Sequence, residues 1–209
     1  MGTFIYIAVE DDLSEAVVRR ILAQRDVSYE PVRWNVGGGA SFLKDKIVAF
    51  NNIAKSVPVF MLTDLDRKVC PSALVKEWLG FVKMNPDFIF RVAVREVEAW
   101  LLADDVALCR FLKLRKAVRF IIPEGEADPK AKVLELAERS SSRIVKDGVV
   151  RRNADGTLQQ GPVYNAELTR FTNEDWDVHV SAGKCPSLQR LLRALEAFEE
   201  RQRSSKSAR

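Results

Sequence analysis

At 209 residues, with 47% hydrophobic and 30% charged side chains, the chain is long enough for one domain with a sizeable core that needs neither disulfides nor a structural metal. Its 33 basic and 29 acidic residues leave a net charge of +4, which permits nucleic-acid binding without demanding it. Cys70, Cys109 and Cys185 are odd in number and far apart, against a disulfide framework or a zinc knuckle, and no apolar window reaches the roughly 18 residues of a membrane span, so a cytoplasmic protein with no signal peptide and no membrane partner is expected.

The first hundred residues alternate strand-length apolar runs with amphipathic stretches, the pattern of a parallel sheet built from crossovers. Phe4 to Val9 reads as a strand, and Leu13 to Gln24 as a helix that packs Val17 and Ile21 on the sheet. Tyr29 to Asn35 is a second strand, followed by a flexible loop at Gly37-Gly38-Gly39 and a helix over Phe42 to Ala54. Val57 to Leu62 is nearly all apolar, as a central strand covered on both faces should be. A helix with Pro71 in its first turn runs to about Lys83. Phe88 to Val94 is the fourth strand, and Val97, Trp100 and Leu101 then fall at helical spacing within Glu96 to Ala103.

Beyond Asp104 the pattern becomes mainly helical, with helices over Val106 to Leu112, Lys130 to Arg139 and Pro186 to Gln202. Residues 139–162 carry turn signals at Asp147-Gly148 and Asp155-Gly156 and read equally as a hairpin or a mobile loop. Arg203 to Arg209 is too polar to pack and should fray. From Arg139 onward there are thirteen Lys and Arg against nine Asp and Glu, so this part carries the whole positive excess, and Arg151 and Arg152 are candidate phosphate contacts.

Three strands end in carboxylates, where the loops of an open α/β sheet converge on a crevice. Glu10, Asp11 and Asp12 follow the first strand, Asp64 and Asp66 the third, and Glu96 and Glu98 the fourth. Several ionised carboxylates in one crevice repel unless a cation compensates, and hard oxygen ligands without a Cys or His cluster favour Mg²⁺ or Mn²⁺ over Zn²⁺. Strand alternation puts Asp64 and Asp66 on one side. On a helix Glu96 and Glu98 point about 200° apart, so only one should serve the site; Glu98 is favoured and the choice stays open. Asp12, just before Leu13, suits the helix N-cap. Arg67 and Lys68 are placed to hold a phosphate or balance the acids, and His179, the one histidine, rules out a histidine cage.

The run Ile5 to Leu22, with Glu10 closing a strand and Glu15 entering a helix, together with Thr63-Asp64-Leu65-Asp66, resembles a TOPRIM domain, the fold shared by topoisomerases, bacterial primases and OLD-family nucleases. Arg95 to Asp104 resembles the segment after the fourth strand in a group of uncharacterised bacterial TOPRIM-like proteins, and Tyr164-Asn165 and Pro186-Ser187-Leu188 match more loosely. The resemblance implies a TOPRIM-like (Rossmann-like) α/β core over residues 1–104, with about four mainly parallel strands, and a mostly helical extension over 105–209. Glu10 then stands for the family's invariant acid, and Asp64 and Asp66 for its Asp-x-Asp ligands. The activity implied is Mg²⁺- or Mn²⁺-dependent cleavage of nucleic-acid phosphodiesters, DNA rather than RNA, in defence against phage or mobile elements. Related nucleases carry Gly after the first Glu, where Asp11 stands here, and the next acid, Glu15, is displaced into the helix. That departure supports an alternative, a catalytically inactive binding subunit of an ATPase-containing complex. A third reading, a receiver-like phosphoacceptor centred on Asp64, lacks the expected turn after Leu65-Asp66-Arg67-Lys68.

Overall fold

The computed structural model describes residues 2–34 and 39–207. Four strands, β1 (Thr3–Ala8), β2 (Tyr29–Arg33), β3 (Val59–Asp64) and β4 (Phe88–Ala93), form an all-parallel sheet in the order β2-β1-β3-β4. The expected glycine loop at Gly37 and Gly38 lies outside the described residues; Gly39 already opens a helix.

Period-2 alternation assigns the two faces of the sheet. Ile5, Ile7 and Val9, with Phe60, Leu62 and Ile89, join one buried cluster, while Ala8, Val59, Met61, Phe88, Phe90 and Val92 join another. Helix α1 (Asp12–Ala23) covers the first face through Leu13, Val17 and Ile21. Helices α2 (Gly39–Ile53) and α3 (Pro71–Leu79) cover the second, burying Leu43, Ile47, Phe50 and Leu74. Helix α3 stops well short of Lys83 because Gly80 adopts φ 58°, with its N–H on the Lys76 carbonyl, a left-handed cap that glycine adopts at little cost.

The rest of the chain is a helical stretch on the first face: α4 (Val97–Ala103), α5 (Asp105–Phe111), a 3-10 turn (Pro123–Gly125), α6 (Pro129–Glu138), α7 (Arg143–Val149), α8 (Tyr164–Glu174), α9 (Val178–Ala182) and α10 (Pro186–Ser207). Its Leu134, Leu168, Phe171, Trp176, Leu188, Leu191 and Phe198 share one cluster with Ile5, Val17 and Trp100. Between α7 and α8 the chain forms a small antiparallel hairpin, β5 (Val150–Arg152) and β6 (Leu158–Gln160). Residues 139–162 are therefore a helix followed by a hairpin. Helix α10 runs on to Ser207 where fraying was expected after Gln202. Extending a formed helix costs little, and its last turns are tied down by Arg25 to Glu199 and by Arg201 to the Pro86 carbonyl.

Among the described residues no helix is long and apolar enough to cross a membrane.

Candidate functional site

The strand order reverses at β1: the chain leaves β1 for β2 on one side, then crosses to β3 on the other. In parallel sheets the crevice at such a switch point, beyond the carboxyl ends, is where ligands bind. Glu10 lies just past β1 and Asp64 closes β3, so the crevice is built around these two acids.

Glu10 is fixed through one oxygen. Its Oε1 accepts hydrogen bonds from the Thr63 hydroxyl and, at 3.0 Å, from the Asp64 N–H; among the described residues Oε2 has no such bond. Burial raises its pKa against these two hydrogen bonds, with the charges of Asp66 and Asp11 adding to the rise. Asp64 is held likewise, Oδ1 accepting from the Val97 N–H at 3.1 Å. Its pKa is raised well above the usual range by burial and then by Glu98, Glu10, Asp11 and Glu96. These carboxylates therefore sense one another across the crevice.

Glu98 completes the inner set. It is 2% exposed, and burial pushes its pKa up to about 7 against the pull of Lys130 and Tyr164. The Tyr164 hydroxyl donates to Glu98 Oε1 at 3.0 Å, and the Lys130 ammonium lies 3.8 Å from the same oxygen. Glu96 precedes α4 as its extended N-cap, so the helical angle that separated it from Glu98 does not apply. It accepts the Lys130 backbone N–H at 3.1 Å, and both glutamates border the crevice. Lys130, in the first turn of α6, is thus held twice, its backbone N–H by Glu96 and its ammonium by Glu98. Burial works against its charge, and Glu98, Glu96, Asp64 and Asp11 together keep its pKa raised.

Other acids sit differently from expectation. Asp66 is exposed, in a turn with φ 50°. The β3 ladder ends with the Leu65 N–H on the Ala93 carbonyl, and Asp66 then donates its N–H to the Arg95 carbonyl. Simple alternation therefore fails after Leu65, and Asp66 stands at the rim. The N-cap of α1 is Asp11, whose side chain accepts from the Ser14 N–H at 2.8 Å, because the helix begins one residue earlier than expected. Asp12 and Glu15 instead bind Arg33 at 2.6 and 2.7 Å, and Glu15 also binds Arg19 at 2.7 Å. Glu15 thus serves the α1 to β2 packing.

Arg67 is exposed beside Asp66, and Lys68 pairs with Glu77 at 3.1 Å. Arg151 and Arg152 lie exposed on β5, Arg152 bound to Glu138 at 3.0 Å. Through β6 the hairpin lies beside Lys130: a surface recess of about 420 Å³ is lined by Asp128 and Lys130 of the α6 start and by Leu158, Gln159 and Gln160.

No family model, curated protein or solved structure matches the chain. Its chemistry has to be read from its own residues.

Among the described residues, no three Asp, Glu, His or Cys side chains stand close enough to form a ready-made metal cage. The donor chemistry still suits a hard cation. Glu10, Asp64 and Glu98 each spend one oxygen on protein donors and keep a second, and Mg²⁺ is commonly held by one or two carboxylates with the remaining positions filled by water. Lys130, Tyr164 and Thr63 went unnoticed as site residues in the sequence. Lys130 had one signal: Asp128-Pro129 marks a helix start, and a cation in a first turn opposes the helix dipole unless acids offset it.

Proposed function

We propose that this chain is a TOPRIM-like, Mg²⁺- or Mn²⁺-dependent nuclease acting on nucleic-acid phosphodiesters, DNA in preference to RNA. The observation that carries this reading is the grouping of Glu10, Asp64 and Glu98 at the switch-point crevice, all with raised pKa values and, among the described residues, one ammonium, Lys130, paired with them. Such a cluster is costly for folding alone and suits a site that receives further positive charge.

A divalent ion held by one or two of Glu10, Asp64 and Glu98, with water completing its shell, would polarise the phosphodiester and help ionise the attacking water. The chain's own groups do the rest. Glu10, with Oε1 pinned, presents Oε2 in a fixed direction, and its raised pKa moves it toward the range of a general base. Lys130 can exchange its contact with Glu98 for a non-bridging phosphate oxygen. Arg67 on the β3 loop and Arg151 and Arg152 on the hairpin extend the positive surface along a nucleic-acid backbone, so binding should weaken as salt rises. The wide spacing of the ligand groups favours a second reading, a TOPRIM-like binding subunit that acts only with an ATPase partner.

The test is incubation of the purified chain with single-stranded DNA, double-stranded DNA and RNA in Mg²⁺, Mn²⁺ or EDTA, beside Asp64→Ala. Metal-dependent cleavage lost in the variant supports a nuclease. Metal binding without cleavage moves the assignment to the partner-dependent subunit.

A further inference from the structure

A groove of about 590 Å³ opens between α3, the segment that follows it and the edge strand β4, with the first turn of α10 as its far bank. None of the crevice carboxylates lines it. Its walls are mainly aliphatic, with Val75 and Leu79 on α3, Val82 and Met84 beyond the Gly80 turn and Val92 on β4. Val82 and Met84 are exposed, and Phe81 beside them is fully open to solvent. Contiguous exposed apolar surface with a polar rim marks an interaction site.

The charge around this groove has one sign. Lys76, Arg91 and Arg190 line it, and no Asp or Glu does. Among the described residues none of these three forms an ion pair. Arg91 is half-buried and donates from Nη1 to the Phe90 carbonyl at 2.7 Å, while its Nε is buried without a hydrogen-bond partner among the described residues. An unpaired buried donor is costly, and a guanidinium is best satisfied by a carboxylate or phosphate fork.

We propose that this groove docks an acidic peptide segment of a partner protein, its large aliphatic side chains seated along Val75, Leu79 and Val92 and its carboxylates on Lys76, Arg91 and Arg190. A peptide fits better than a nucleic-acid strand. Single strands stack successive bases on several accessible aromatic faces, whereas the aromatic ring lining this groove, Phe90, is 1% exposed and packed against Trp78 and Phe88, and the exposed Phe81 is a single ring outside the lining. Aliphatic walls with unpaired cations complement apolar anchors flanked by acids.

The experiment is selection of phage-displayed random peptides about 12 residues long on the full chain, with counter-selection on Lys76→Glu/Arg190→Glu. Both positions are exposed, so the variant should keep its thermal midpoint and remain a folded control. Enriched peptides should combine large aliphatic residues with acids, bind the wild type about tenfold or more tightly than the variant, and weaken as salt rises. Met84→Glu, on the apolar bank, should weaken the same peptides by about fivefold or more. Absence of enrichment, enrichment without acids, equal binding to the variants or displacement of the peptides by single-stranded DNA would overturn the proposal.

Discussion

Two buried glutamates at opposite ends of the sheet meet opposite fates. Glu199 on α10 is 6% exposed and receives Arg25 through two nitrogens, at 2.8 and 3.0 Å, and the Tyr29 hydroxyl at 2.9 Å. Burial would raise its pKa, but Arg25 and Tyr29 overcome that and hold it below the ordinary value. Glu98 also has a tyrosine hydroxyl, from Tyr164, yet its cation is an ammonium at 3.8 Å and its other neighbours include Glu96 and Asp64. One carboxylate is saturated and holds α10 against β2 and the connection that precedes it. The other is left short of positive charge, as the proposed metal-dependent site requires.

The largest way to break this contrast is to remove a partner on each side. Arg25→Ala should cost about 3 to 5 kcal/mol in chemical denaturation, because it strands Glu199 in a dry environment. Glu98→Gln should act in the opposite direction, raising stability at pH 8 by roughly 2 kcal/mol, since Gln keeps an acceptor for Tyr164 and loses a charge that burial opposes.

The pH dependence sharpens the comparison. Burial pushes the Glu98 carboxyl up to about 7, above its ordinary 4.5, so its contribution is fully present below about 4.5 and lost as pH rises through 7. Glu199 is shifted downward, so its contribution is present above 4.5 and lost as pH falls through its folded pKa. Thermal melts across pH 3 to 8 should therefore change slope in Glu98→Gln at the neutral end and in Arg25→Ala at the acid end.

A smaller effect separates the acids beside Glu10. Asp11→Ala should cost about 1 kcal/mol through the lost N-cap, whereas Asp12→Ala, which breaks a solvent-exposed pair with Arg33, should cost under about 0.5 kcal/mol. Equal effects in denaturant titrations would show that the helix start has been misread.

Much of the sheet was legible because strand-length apolar runs alternate with amphipathic stretches, and three of the four strands end near a carboxylate. The acids were legible as a set, though not one by one. Asp66 escaped alternation because a left-handed turn follows Leu65, Glu15 was taken up by Arg33, and Glu96 stands outside the helix that was expected to contain it. Lys130 and Tyr164 arrive from far along the chain, and only packing brings them to Glu98. Helix α8 could have been found: Tyr164, Leu168 and Phe171, all buried, recur at spacings of four and three.

The proposed role of the acidic crevice is tested most directly by following the thermal midpoint at pH 8 while Mg²⁺ is added to the wild type and to Asp64→Ala. The wild type should be stabilised as the cation relieves Glu10, Asp64 and Glu98, while the variant, at least as stable without metal, should respond little. A wild type indifferent to Mg²⁺ and Mn²⁺, or a variant stabilised equally, would contradict a metal-dependent site at this crevice.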